Sequence, residues 1–246
     1  MEKGTIGLSV ESRRTPETLG NERTFGVILI KPDGMKNFSD VVIREYLDKF
    51  PRELTKLLKL PNEVAEKIPL LTVCKTVIVD LGDNSERTRK LIDTLYHREK
   101  DREFFPLLKD LYSDQVMILF ISYPGTPKEL KTIFKGIKGK ETLVKPDGTI
   151  VREGTGFRGL LKKPQIFVSE EILDSLEFER YQEVLTEIIN NIIHTTDHPE
   201  EAARIMELVL FEAEIEDMEQ RGFRARNFIN KFTKQTQNDE KPNTSF

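Results

Sequence analysis

The amino-acid sequence predicts an α/β or α+β fold in which helices cover a sheet. Three observations carry this. Apolar runs rich in Val and Ile at 24–30 (TFGVILI), 70–81 (LLTVCKTVIVDL) and 115–123 (QVMILFISY) read as buried strands. Segments with apolar residues at helical spacing separate them. A chain of 246 residues is long enough to bury a sizeable core, as one large domain or two small ones.

Residues 1–20 are polar and lack apolar periodicity, so a flexible arm is expected there. After the first strand, SDVVIREYLDKF sets Val42, Ile43, Tyr46, Leu47 and Phe50 at helical spacing, with Ser39 as N-cap. PRELTKLLKLPNEVAEKIP reads as one helix broken into two by Pro61. Beyond the second strand, Leu91, Ile92, Leu95 and Tyr96 share a helical face, and Asp83 and Glu86 are placed to form its capping box. Thr126 and Pro127 open the next helix as N-cap and first helical residue. Residues 136–164 read as a long polar loop holding six glycines, a length that goes with function or disorder. QIFVS (165–169) reads as a short strand, followed by an acidic amphipathic helical stretch to about residue 190 and a last helix from Pro199 to about residue 213. The organisation implied is an arm (1–20), a single domain (21–233) and a disordered tail (234–246).

Lys plus Arg number 38 and Asp plus Glu 42, a formal charge of −4, which argues against a general nucleic-acid binder while leaving room for a local basic pocket. The single cysteine, Cys74, rules out an intrachain disulfide and a cysteine metal cluster, and it fits a reducing compartment. The opening residues lack the apolar run of a signal peptide, and no stretch approaches the ~18 apolar residues of a membrane span. The expectation is a soluble, cytoplasmic protein.

Three features bear on chemistry. GTGFRG at 154–159 has the letters of a dinucleotide-binding turn, but polar, turn-rich sequence precedes it, and Pro164 interrupts the chain beyond it before a helix makes two turns. It therefore reads as a glycine loop whose residue of interest is Arg158. KPDG occurs at 31–34 and 145–148, and as a tetrapeptide it explains itself as a turn. The first copy ends a rigid apolar strand, so Lys31 is preorganised to meet a phosphate, whereas Lys145 lies within a loop. Of the three histidines, His97 sits in a charged helix end and His198 in a loop or cap position. His194 closes the apolar run NNIIH just before a helix start, where an anion is favoured; a satisfied structural histidine is the alternative.

Together these segments resemble the nucleoside diphosphate kinase family. ERTFGVILIKPDG is similar to the family's first strand with its lysine. LYHREKDREFFPLLKDL is similar to the helical lid that carries a tyrosine and a phenylalanine. NIIHTTDHPEEA is similar to the signature around the phosphorylated histidine, and GTGFRG to the family's GTIRG loop. The resemblance covers about residues 22–49, 86–159 and 190–210. It implies a ferredoxin-like antiparallel sheet covered by helices, with homo-oligomeric assembly. It also implies transfer of the γ-phosphoryl group between nucleoside triphosphates and diphosphates, by a ping-pong route through a phosphohistidine on His194. On the same resemblance Lys31, Tyr96 and Arg158 contact phosphates, Asn191 the sugar and phosphate region, and Phe104 stacks on the base. Thr142 matches the threonine of a GET motif. Mg²⁺ would bridge the phosphates, with Asp197 near by.

Departures from the family pattern keep a second reading open, a divergent nucleotide-binding or scaffold member without catalysis. A second phosphate-binding arginine is missing, and only Lys135 or Lys138 stands near its place, without the bidentate fork. Thr195 replaces a glycine after the histidine. The glutamate that orients the ring falls at Ile205 in an ungapped match. Helical insertions at about 51–69 and 160–189 carry apolar faces, and at least a dimer is expected with one of them at the contact.

Overall fold

The computed structural model describes residues 23–37, 39–82, 85–96, 114–167 and 191–239, with a few positions between 177 and 186. Three strands form where β-branched runs predict them: β1 (Thr24–Ile30), β2 (Thr72–Asp80) and β3 (Gln115–Tyr123). A small second sheet of β4 (Leu143–Val144), β5 (Ile150–Arg152) and β6 (Gln165–Ile166) has the order β5-β4-β6. The last strand, β7 (Ile193–Thr195), returns to the main sheet, whose order is β2-β3-β1-β7 with every neighbouring pair antiparallel. That is the ferredoxin-like arrangement.

Side chains alternate across the pleat and divide the core in two. Phe25, Val27 and Leu29 of β1 belong to one cluster, and Ile28 and Ile30 to the other. The first cluster is covered by α5 (Glu86–Leu95), α8 (Pro199–Val209), α9 (Glu212–Gln220) and α10 (Ala225–Asp239). The second is covered by α2 (Ser39–Asp48), α3 (Pro51–Leu57), α4 (Asn62–Ala65) and α6 (Pro127–Lys138). The insertion at 51–69 is thus packed into this chain's own core through Leu54, Leu58, Val64 and Ile68.

Several local expectations are corrected. Ser39 is the first residue of α2, not its cap. The cap of α5 is Ser85, whose hydroxyl accepts from Thr88 N at 3.2 Å; Asp83 lies outside the described residues. Residues 136–164 are not a plain loop: α6 runs into them, and they contain β4, β5 and α7 (Gly156–Leu161). The last helix stops at Val209, and two more come after it. Arg87 donates to the carbonyl of Leu208 at 2.6 Å and to that of Val209, placing a cation on the open end of α8. Helical backbone in α10 continues past residue 233, where the tail was expected to begin. The arm at 1–20 and most of the insertion at 160–189 lie outside the described residues. Among the described residues no helix is long and apolar enough to cross a membrane.

The start of α6 obeys the expected chemistry. Thr126 Oγ1 accepts from Glu129 N at 3.2 Å, and the Glu129 carboxylate accepts from Thr126 N at 2.9 Å, a reciprocal capping box with Pro127 at the first helical position. Lys67 also reaches Glu129 at 2.9 Å, and its hydrogen bond does most to hold that carboxyl down at about 2. Thr126→Ala is expected to cost about 1 kcal/mol of folding stability, the usual loss for a capping hydroxyl. Urea unfolding of the two proteins side by side measures it; equal midpoints would mean that the cap contributes nothing.

Candidate active site

The site forms where the end of β1 meets β7. The pairing of Leu29 with His194 puts the imidazole on the sheet face covered by α5 and α8. On that face Tyr96, at the end of α5, lies with its ring centroid 5.9 Å from that of His194. Lys31 Nζ stands 5.6 Å from the centroid of the same tyrosine. Lys31, Tyr96 and His194, from three separate segments, therefore converge.

The chain enters β7 under strain. Ile192 has φ +55°, a region that β-branched residues avoid, and Ile193 N donates to Asn191 O at 2.6 Å to close a tight turn around it. Both backbone groups of Ile192 are held by the first KPDG segment: Lys31 N donates to Ile192 O at 2.9 Å, and Asp33 Oδ2 accepts from Ile192 N at 2.8 Å. The segment is no turn. Lys31 is the N-cap of α1 (Pro32–Lys36), and Gly34 lets the helix approach, because a Cβ there would lie 2.6 Å from Ile192 O. The second copy is a surface turn between β4 and β5, with Lys145 exposed and its N–H donated to Thr149 O.

His194 Nε2 lies 3.0 Å from Oε1 of Glu201, whose other oxygen accepts from Asp197 N at 3.0 Å. A carboxylate only accepts, so Nε2 is the donor, and in the neutral ring the lone pair then sits on Nδ1. This corrects the expectation at position 205. Ile205 is wholly buried in the core, and the orienting carboxylate comes from one helical turn earlier. Thr195 raises no conformational difficulty. It pairs with Ile28 in β7, and Lys59 and Ile192 are the described non-glycine residues with positive φ.

Cations gather at this end of the sheet. Burial, reinforced by the charges of Arg158 and Lys162, pulls the Lys31 ammonium down to about 7, with Asp33 and Glu141 acting the other way. Arg158, from α7, donates to Ile193 O at 3.0 Å and pairs with Glu141 at 3.6 Å. Between the two lysines proposed for the missing arginine's place, Lys138 is the one in the site. Burial first, then Arg158, lower its pKa, while Asp197 and Glu201 raise it. Asn191 Oδ1 and Asp197 Oδ1 are buried without a hydrogen-bond partner among the described residues. Thr142 Oγ1 accepts from Gly154 N at 2.9 Å and so braces the GTGFRG segment, which is no plain loop because its last four residues open α7. Phe104 and His97 lie outside the described residues. His198 is the N-cap of α8, with its ring 3.5 Å from Lys131 Nζ.

Glu201, Glu141 and the backbone of Ile192 were not singled out by sequence. Glu201 left a trace there, as an acidic residue in the first turn of a helix that begins at a proline, and Glu141 stands directly before Thr142 in the GET-like stretch.

No protein-family model matches the chain, and no curated protein matches it. Among solved structures the chain is similar to a nucleoside diphosphate kinase from Aquifex aeolicus, with a TM-score of 0.43 and 14% identity over 78% of this chain and 99% of that one. It is also similar to a nucleoside diphosphate kinase from Encephalitozoon cuniculi, with a TM-score of 0.37 and 17% identity over 75% of this chain and 87% of that one. At these identities the chemistry rests on the residues described above.

Lys31 gives the site a pH signature. Below about pH 7 it is charged in both folded and unfolded chains, and folding bears the full cost of burying it. Between about 7 and its ordinary value of 10.5 the folded protein sheds the proton while the unfolded chain keeps it, so stability rises with pH across that window. Lys31→Met is expected to be more stable than the parent near pH 6, with an advantage that shrinks toward pH 10. Chemical denaturation across that series tests this, and a parent whose stability is flat between pH 7 and 10 would contradict it.

Proposed function

We propose that this chain is a nucleotide phosphotransferase that carries the phosphoryl group on His194 and passes it from a nucleoside triphosphate to a nucleoside diphosphate. The observation that carries the reading is the 3.0 Å contact between His194 Nε2 and Glu201, which leaves Nδ1 as a nucleophile amid Lys31, Lys138 and Arg158.

In the first half-reaction Nδ1 attacks the terminal phosphorus in line. The N–P bond forms, the bond to the bridging oxygen breaks, and the diphosphate leaves with that electron pair. Positive charge that develops on the ring is met by Glu201 through the proton on Nε2. The second half-reaction is the reverse, with a different diphosphate as acceptor. Phosphoryl transfer depends on positioning and charge neutralisation more than on proton transfer. Lys31 is suited to this because its ammonium is held rigidly at a strand end and gains most when an anion arrives. Arg158 offers a forked donor, although it also serves the Ile193 carbonyl and Glu141. Mg²⁺ enters with the nucleotide phosphates as part of the substrate, and Asp197, with its unpartnered Oδ1, is the carboxylate that fits beside it.

Labelling with γ-³²P ATP tests the reading. His194→Ala should lose both acid-labile label and transfer to a diphosphate acceptor. Nucleotide binding by the parent without any label would favour the non-catalytic alternative, and full labelling of the His194 variant would remove His194 from the mechanism.

The two KPDG copies give an internal control. Lys31→Ala should lower turnover by at least about 100-fold, of the order seen when a preorganised donor to a transition-state oxygen is removed. Lys145→Ala should leave turnover unchanged. Steady-state rates with saturating donor and acceptor decide it, and the reverse order would mean that the exposed copy is the one that meets phosphate.

A further inference from the structure

We propose that a cavity at the far end of β1 binds a small organic anion with a flat apolar body, at a second site separate from that of His194. The cavity has a volume of about 370 Å³, within the range of small-ligand pockets. Its walls come from the start of β1, the cap of α6 and the first turns of α10. β1 spans seven residues between this end and Lys31, which at ~3.3 Å per residue puts the two sites roughly 20 Å apart.

The charge around it is one-sided. Arg23, Arg224 and Lys231 line the cavity, and among the described residues no acidic side chain does, in a chain whose net charge is −4. Several other cations meet carboxylates, as in Lys67 with Glu129 and Lys75 with Glu214. Arg23 instead donates to the neutral oxygens of Ser122 and Thr72. Arg224 stands exposed at the rim with no carboxylate partner among the described residues. Burial lowers the pKa of Arg23, a cost that a bound anion would offset. Beside the charges lie Phe228 and Phe232, with ring centroids 4.8 Å apart and planes tilted by 53°. The hydroxyl of Thr24, in the same wall, is buried and has no hydrogen-bond partner among the described residues. Cations and an aromatic surface together in one half-open cleft favour an aromatic phosphate or carboxylate over a bare ion.

The probe is phenyl phosphate, titrated into the full chain and followed by amide chemical shifts. Saturable shifts are expected at Thr126 and Asn227, in the parent and equally in Lys31→Met. Arg224→Glu combined with Lys231→Glu, both at exposed positions, should raise Kd by at least about tenfold. Inorganic phosphate, which lacks the ring, should bind more weakly. Any of three outcomes would overturn the proposal: no saturation up to about 10 mM, binding that survives the charge reversal, or shifts confined to the surroundings of His194.

Discussion

The hydrogen bond from Lys31 N to Ile192 O, at 2.9 Å, joins the sheet to the site. It extends the β1–β7 pairing by one step beyond the strands, and it thereby fixes the distance between the lysine at the end of one strand and the histidine in the other. Asp33 holds the other polar group of Ile192, so the strained residue has its backbone satisfied on both sides. A left-handed β-branched residue costs on the order of 1–3 kcal/mol and persists only where its surroundings over-determine it. Here the surroundings are the KPDG segment itself. The tetrapeptide that supplies the cation also holds the turn that presents the imidazole.

A site built this way is kept against its own electrostatics. Lys31 is 4% exposed, and Arg158, Lys138 and Lys162 add positive charge near by. Glu201, Glu141, Asp33 and Asp197 offset this only in part, since Lys31 remains far below its ordinary pKa. Such a cluster destabilises the fold and favours a polyanion, so the instability and the proposed chemistry share one cause.

β1 and β3 were legible because each is an apolar run buried on both faces, and β2 because it is rich in β-branched residues. β7 was not, because three residues carry no period. His194, Lys31 and Arg158 were legible as parts of short motifs, and the structure brings Lys31, Tyr96, Asn191, Arg158 and His194 to one end of the sheet, with Thr142 bracing the loop beside them. The orienting carboxylate was hidden, since its separation from His194 spans a strand end, a turn and a helix start, and no repeat relates the two. The helix period does account for position 205. Ala202, Ile205, Met206 and Val209 stand at i, i+3, i+4 and i+7 and are all buried, which is the core stripe of α8. A carboxylate at 205 would have to enter that core.

Glu201 lies four residues before Ile205, one turn nearer the N-terminus on the same side of the helix. The shift has two physical consequences. The open N–H groups of the first turn favour a negative side chain there, and Asp197 N, just ahead of the helix, supplies a donor that holds the second oxygen at 3.0 Å. The carboxylate is thereby pinned at one oxygen and free to accept from the imidazole with the other, within the bend that carries the chain from β7 into α8. Orientation of His194 thus depends on the helix start and not on its buried stripe, which leaves the core of α8 apolar.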